Sequence, residues 1–151
     1  VKSIYTAESS VTSKYKLKAI EGGCNLLLPS EVEAKTIIPA LRSLIAKKLV
    51  NTYHLPQQKV AELLGITQAA VSNYIRDVRG VGASLEGSEE AQKLADEIVK
   101  AILQGVDQVT LMKKFNDAVT TIKAKRLMCD LHQKLEPDLD AEKCHICEPT
   151  A

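Results

Sequence analysis

The stretch that most constrains this chain is LPQQKVAELLGITQAAVSNYIR, residues 55–76, which reads as two short helices meeting at a glycine. Counting from Gln57, a small residue, Ala61, falls at the fifth position, where two crossing helices come closest. Gly65 falls ninth, where the chain must turn, and Val71 and Tyr74 fall fifteenth and eighteenth as apolar plugs. Val60, Leu64 and Ile66 complete an inner face. Glycine suits the turn because positive φ carries no steric penalty without a Cβ. This spacing spells a helix-turn-helix, with a second helix opening near Thr67.

Such a second helix turns Gln68, Ala69, Ser72, Asn73 and Arg76 to one outer face, the side-chain types with which a major groove is read. Gln68 can bond the N6 and N7 edge of adenine, Ala69 can touch a thymine methyl, and Arg76 can reach guanine or phosphate. Gln57, at the start of the preceding helix, is placed to bond phosphate or to brace Gln68. Thr67, Lys59, Arg79 and Lys48 are the remaining candidate contacts, most of them to the backbone, which takes half to two-thirds of protein–DNA hydrogen bonds. The expected partner is double-stranded DNA. Because one such unit offers little area, a homodimer on two half-sites is expected.

Charge supports that placement once it is divided along the chain. The net charge is only +1, yet residues 30–82 carry 7 Lys or Arg against 4 acids, while residues 83–151 carry 9 against 13. The basic excess lies with the expected reader and the acidic excess lies behind it. With 45% hydrophobic and 26% charged residues, the composition is that of a globular chain. No apolar run approaches the roughly 18–20 residues needed to cross a membrane. The first twenty residues lack the apolar core of a secretory signal, so the expected location is the cytoplasm.

The pattern divides the chain into four parts and predicts an all-α fold. Residues 1–29 are polar and aperiodic and form an arm or cap, with YKLKAI a thin hint of a strand. Residues 30–82 form the helix-turn-helix domain. Its first helix is expected to open at Ser30, with Glu33 closing a capping box, and to carry an apolar stripe to about Thr52. Pro39 within that stripe removes a backbone hydrogen bond and crowds the carbonyl of Lys35, which predicts a kink or a break. After the glycine-rich RGVGASLEGS, residues 83–128 form a helical region. Ser88 and Asp107 are its helix caps, Gly105 is a stop, and the second of its helices can run as far as His132. Its apolar faces either pair between chains, as a dimerisation region, or cover the back of the reader within one chain.

Residues 129–151 form a cysteine-rich tail. Cys129, His132, Cys144 and Cys147 spell CxxH, eleven residues, then CxxC, two close pairs of donors suited to a closed metal site. Zinc would use Cys129, His132, Cys144 and Cys147 as a structural staple. An iron–sulfur cluster would use Cys129, Cys144 and Cys147 with Cys24 as the fourth thiolate, and would act as a sensor. Spacing alone leaves the two undecided, with four free cysteines or a Cys144–Cys147 disulfide as further alternatives. His54 and His145 are expected to be solvated or packed rather than ligands.

Together, SEVEAKTIIPALRSLIAKKLV and LPQQKVAELLGITQAAVSNYIRDVRG resemble the prokaryotic, mostly archaeal, helix-turn-helix regulators of the lambda-repressor-like superfamily that carry a cysteine-rich C-terminal region. CDLH and CHIC look like that region, and the matched segments span about two thirds of the chain. The resemblance implies a dimeric transcription regulator. Two departures reduce the number of thiolates: Ser30 stands where relatives often have cysteine, and no further CxxC occurs near Phe115–Ala118.

Other classes fit less well. A protein-interaction module of the same fold with a structural zinc tail would more often show aromatic or Met anchors on the outer face. A thiol oxidoreductase would place its CxxC at the start of a helix, not beside the chain end. No nucleotide loop, carboxylate pair or serine triad is present, so an enzyme is not expected and no small-molecule substrate is identified.

Overall fold

The structure is a computed structural model and describes residues 27–76 and 83–148. Residues 1–26 of the expected arm, with its possible strand and Cys24, and Arg79 therefore lie outside the described residues. All regular elements among those residues are helical, and none is a strand. In chain order they are α1 (Pro29–Lys35), α2 (Ile37–Lys47) with a π-helical turn at Lys48–Thr52, α3 (Gln57–Leu64), α4 (Gln68–Ile75), α5 (Ala83–Glu86), α6 (Glu89–Leu103), α7 (Gln108–Ala124) and α8 (Cys129–Leu135). The all-α expectation holds for them.

The helix α2 is the hub. Seven of its eleven residues are buried: Ile37, Ala40, Leu41, Ser43, Leu44, Ile45 and Ala46. A helix buried over most of its circumference must be covered on several sides. It is covered by α1, α3, α4, α5, α6 and α7. The buried residues of α1 to α4 and those of α5 to α7 belong to one cluster, so the helices after residue 83 share the core of the residues before it. Ala91, Ala95, Ile98 and Val99 carry the inward face of α6, all within 1% of full burial. Ion pairs tie the layers at the rim: Lys47 with Glu86, Lys48 with Asp96, Lys123 with Glu33, and Lys125 with Glu90.

Local chemistry accounts for most of the helix ends. The Ser88 hydroxyl accepts from the Ala91 amide at 3.3 Å, and Asp107 Oδ1 accepts from the Thr110 amide at 3.0 Å. Gly105, at φ +67°, follows the end of α6. The break predicted from Pro39 occurs at Thr36, whose φ of −126° and ψ of −71° separate α1 from α2. That is one turn before the proline, where its ring crowds the helix. The Thr36 hydroxyl donates to the Val32 carbonyl at 2.5 Å, so the buried side chain remains satisfied.

Two expectations about helix ends are corrected. Ser30 does not cap α1. Pro29 already occupies the first turn, where its missing N–H costs nothing, and Leu28 precedes it with its amide donating to Glu31 Oε2 at 2.9 Å. Glu33, expected to close the box, is held by Lys123 instead. Likewise α7 does not continue to His132. It ends at Ala124, Arg126 follows at φ +57°, and Cys129 and His132 belong to the separate helix α8.

No helix among the described residues is long and apolar enough to cross a membrane.

Candidate functional site

The segment from α3 to α4 turns on Gly65. Its φ of +62° ends α3, its amide donates to the Glu62 carbonyl at 3.3 Å, and the Ile66 amide donates to the Ala61 carbonyl at 3.0 Å. These paired bonds satisfy the otherwise orphaned last carbonyls of α3. Thr67 then caps α4, its hydroxyl accepting from the Ala70 amide at 3.1 Å. Inside the corner, Val60 and Val71 are fully buried and Ala61 nearly so, while Leu63, Leu64, Ile66 and Tyr74 pack half-buried against the core. The inner face expected from sequence is thus the inner face observed.

The outer face of α4 is polar and accessible. Gln68, Ala69 and Arg76 are exposed, and Ser72 and Asn73 are half-buried. Positions 68, 69, 72, 73 and 76 recur at spacings of one, three and four, which puts them on one side of a helix. Arg76 lies back along its own helix: Nη2 donates to Asn73 Oδ1 at 3.2 Å and Nε to the Ser72 carbonyl at 3.4 Å. Gln57 is half-buried at the first turn of α3, and Lys59 is exposed, 3.4 Å from Glu62 Oε2. Thr67 accepts as the cap through its hydroxyl oxygen, whose proton stays available to donate, and Lys48 Nζ lies 2.7 Å from Asp96 Oδ1 on α6.

The tail is organised by a residue that the sequence did not single out. Arg126, between α7 and α8, donates through Nη1 to Glu148 Oε1 at 3.0 Å, through Nη2 to the Ala141 carbonyl, and lies 3.3 Å from His145 Nδ1. The nearby Cys129 side chain and Glu148 hold the guanidinium above its ordinary pKa. His145 and Arg126 in turn hold the Glu148 carboxyl below its ordinary value. No sequence signal marks Arg126, because its partners lie 15 to 22 residues further on.

Cys129, Cys144 and Cys147 are half-buried free thiols. Burial raises the Cys147 thiol above its ordinary pKa, Lys123 opposes the rise, and Cys144 and Cys129 add to it. His132 is buried with Nε2 2.7 Å from Glu136 Oε2 on its own helix, and His145 Nδ1 is 2.9 Å from Glu148 Oε1. Among the described residues no group of three or more His, Cys, Asp or Glu is arranged to hold a metal ion. Of the expected ligands, His132 has its Nε2 engaged with Glu136, which leaves Nδ1 as the nitrogen that could meet an ion. His54 is exposed.

No protein-family model, curated protein or solved structure matches the chain.

Proposed function

We propose that this chain is a sequence-specific DNA-binding transcription regulator that inserts α4 into the major groove, and not an enzyme. One observation carries the reading: a glycine-hinged helix pair presents Gln68, Ala69, Ser72, Asn73 and Arg76 together on an accessible face while Val71 anchors the same helix in the core. A helix so anchored can be pressed against a duplex without repacking. Gln68, one residue after the cap, stands where bidentate contact to adenine is made, with Gln57 and Lys59 beside it for phosphate.

The regulator is proposed to act as a homodimer. The inward face of α6 is used within the chain, so pairing is proposed through exposed apolar side chains where α6 ends and α7 begins, Leu103, Val109 and Met112, exposed by 44%, 75% and 63%.

The tail is proposed to take up zinc or an iron–sulfur cluster through Cys129, Cys144 and Cys147, with His132 or Cys24 as the fourth ligand. The spacing of the ligands supports this part of the proposal. Binding requires the thiols to converge and, for zinc, a His132 nitrogen to be available.

Fluorescence anisotropy with labelled random duplex at two salt concentrations tests the main reading, because phosphate contact makes affinity fall as salt rises. Selection of a preferred duplex then allows Gln68→Ala to be scored, with an expected cost of about 1–3 kcal/mol at one base position. Absence of salt-dependent binding, or an equal loss on every sequence for Gln68→Ala, overturns the assignment.

A further inference from the structure

A groove of about 510 Å3 runs between α2, the end of α3, α6 and α7. Its size falls within the range of pockets that enclose small organic ligands, roughly 300–1,000 Å3. Ile38, Leu63, Ile102, Leu111, Phe115 and Val119 supply its apolar walls, and Gly65 forms part of one edge. Three charged side chains also line it: Arg42, Glu33 and Glu62. Glu33 is paired with Lys123 and Glu62 with Lys59, whereas Arg42 has no ion-pair partner among the described residues. The two carboxylates are thus matched and one guanidinium is left over.

We infer that the groove binds an amphipathic carboxylate, its apolar body lying between α6 and α7 and its carboxylate on Arg42. A guanidinium is planar and always charged, and its fork of N–H groups matches a carboxylate in two parallel hydrogen bonds. Arg42 is one helical turn from Ile38 on α2, so the charged and apolar parts of the site share a rigid element with the core. This assignment does not depend on the DNA reading. Occupancy is felt at the turn between α3 and α4 whether or not DNA is bound, because Leu63, Leu64 and Gly65 line the same groove.

Calorimetric titration of the full chain with decanoate, decanol and decylamine, each below its aggregation threshold, tests the assignment without DNA. Decanoate is expected to bind one site, more tightly than the alcohol or the amine, and to shift the amide resonance of Gly65. Arg42→Gln is expected to weaken decanoate roughly tenfold or more while leaving decanol unchanged, since a hydrogen bond to a charged group is lost. Asn116→Trp, at an exposed position on the groove wall, is expected to block both ligands, and tests the site should the Arg42 variant fail to fold. Equal affinity for acid and alcohol, tighter binding of the amine, or an unmoved Gly65 resonance overturns the proposal. So does decanoate binding that weakens as protein concentration rises, which would assign the groove to a second copy of the chain.

Discussion

Gly65→Ala isolates the energetics of the turn that sets α4 against α3. A Cβ built on Gly65 meets nothing within 4 Å, so no steric clash with a neighbour contributes. What remains is the backbone: an L-residue held in the left-handed region costs roughly 1–2 kcal/mol. Alanine also restricts the unfolded chain, an effect worth about 0.4–1 kcal/mol where the native φ is compatible, so the net loss is expected near 1 kcal/mol. In a chain of this size that corresponds to a fall of about 2–4 °C in Tm. Two other glycines act as controls because their Cβ positions are equally open. Gly105, at φ +67°, should lose about as much as Gly65, whereas Gly87, which is not at positive φ, should be unchanged or gain up to about 1 kcal/mol. Gly65→Asn should recover part of the loss, since asparagine tolerates the left-handed region. Urea unfolding of the four variants, followed by far-UV circular dichroism, gives the comparison. A Gly65→Ala variant as stable as the parent, or one losing more than about 3 kcal/mol, would refute the reasoning, the second because it requires a contact that open space does not supply.

Leu41→Ala removes a fully buried side chain from the centre of the hub and should cost about 2–5 kcal/mol in urea unfolding. The Asp107 carboxyl is held below its ordinary value of 3.8, first by the Thr110 hydroxyl and then by the Thr110 amide. Because its folded pKa is depressed, its contribution is fully present above the unfolded value and is lost as pH falls through the folded one. The stability gap between parent and Asp107→Ala should therefore be constant from pH 7 to about 5 and close below about pH 4, as measured by thermal melts across that range. Elemental analysis and a visible spectrum of anaerobically purified protein should show one zinc per chain in a colourless sample or a broad band in a brown one. Neither metal above trace level would remove the tail from the proposal.

Where a helix end is set by its own few residues, it was legible from the sequence. Ser88, Asp107, Thr67, Gly65 and Gly105 all act within a single turn, so their chemistry is written locally. The start of α1 was misplaced by one such device overtaking another, with Pro29 and Glu31 acting ahead of Ser30 and Glu33. The end of α7 was hidden for a different reason. Nothing in KRLMCDLH stops a helix by propensity, and the stop coincides with Arg126 at positive φ, held by bonds to Ala141 and Glu148 that only the folded chain brings near. Side-chain allegiance was equally illegible: Lys48 could be counted as a basic residue near α4, but its partner Asp96 lies 48 positions away. The outer face of α4 followed directly from helical spacing, whereas the groove beside Arg42 requires four helices to be positioned before it exists.

The central position of α2 has a consequence for anyone trimming the chain. A fragment ending near residue 82 would keep α3, the turn and α4 whole, yet would strip α5, α6 and α7 from the hub and leave part of its buried surface facing water. Such a fragment should aggregate or melt early, and the shortest piece worth expressing extends through α7.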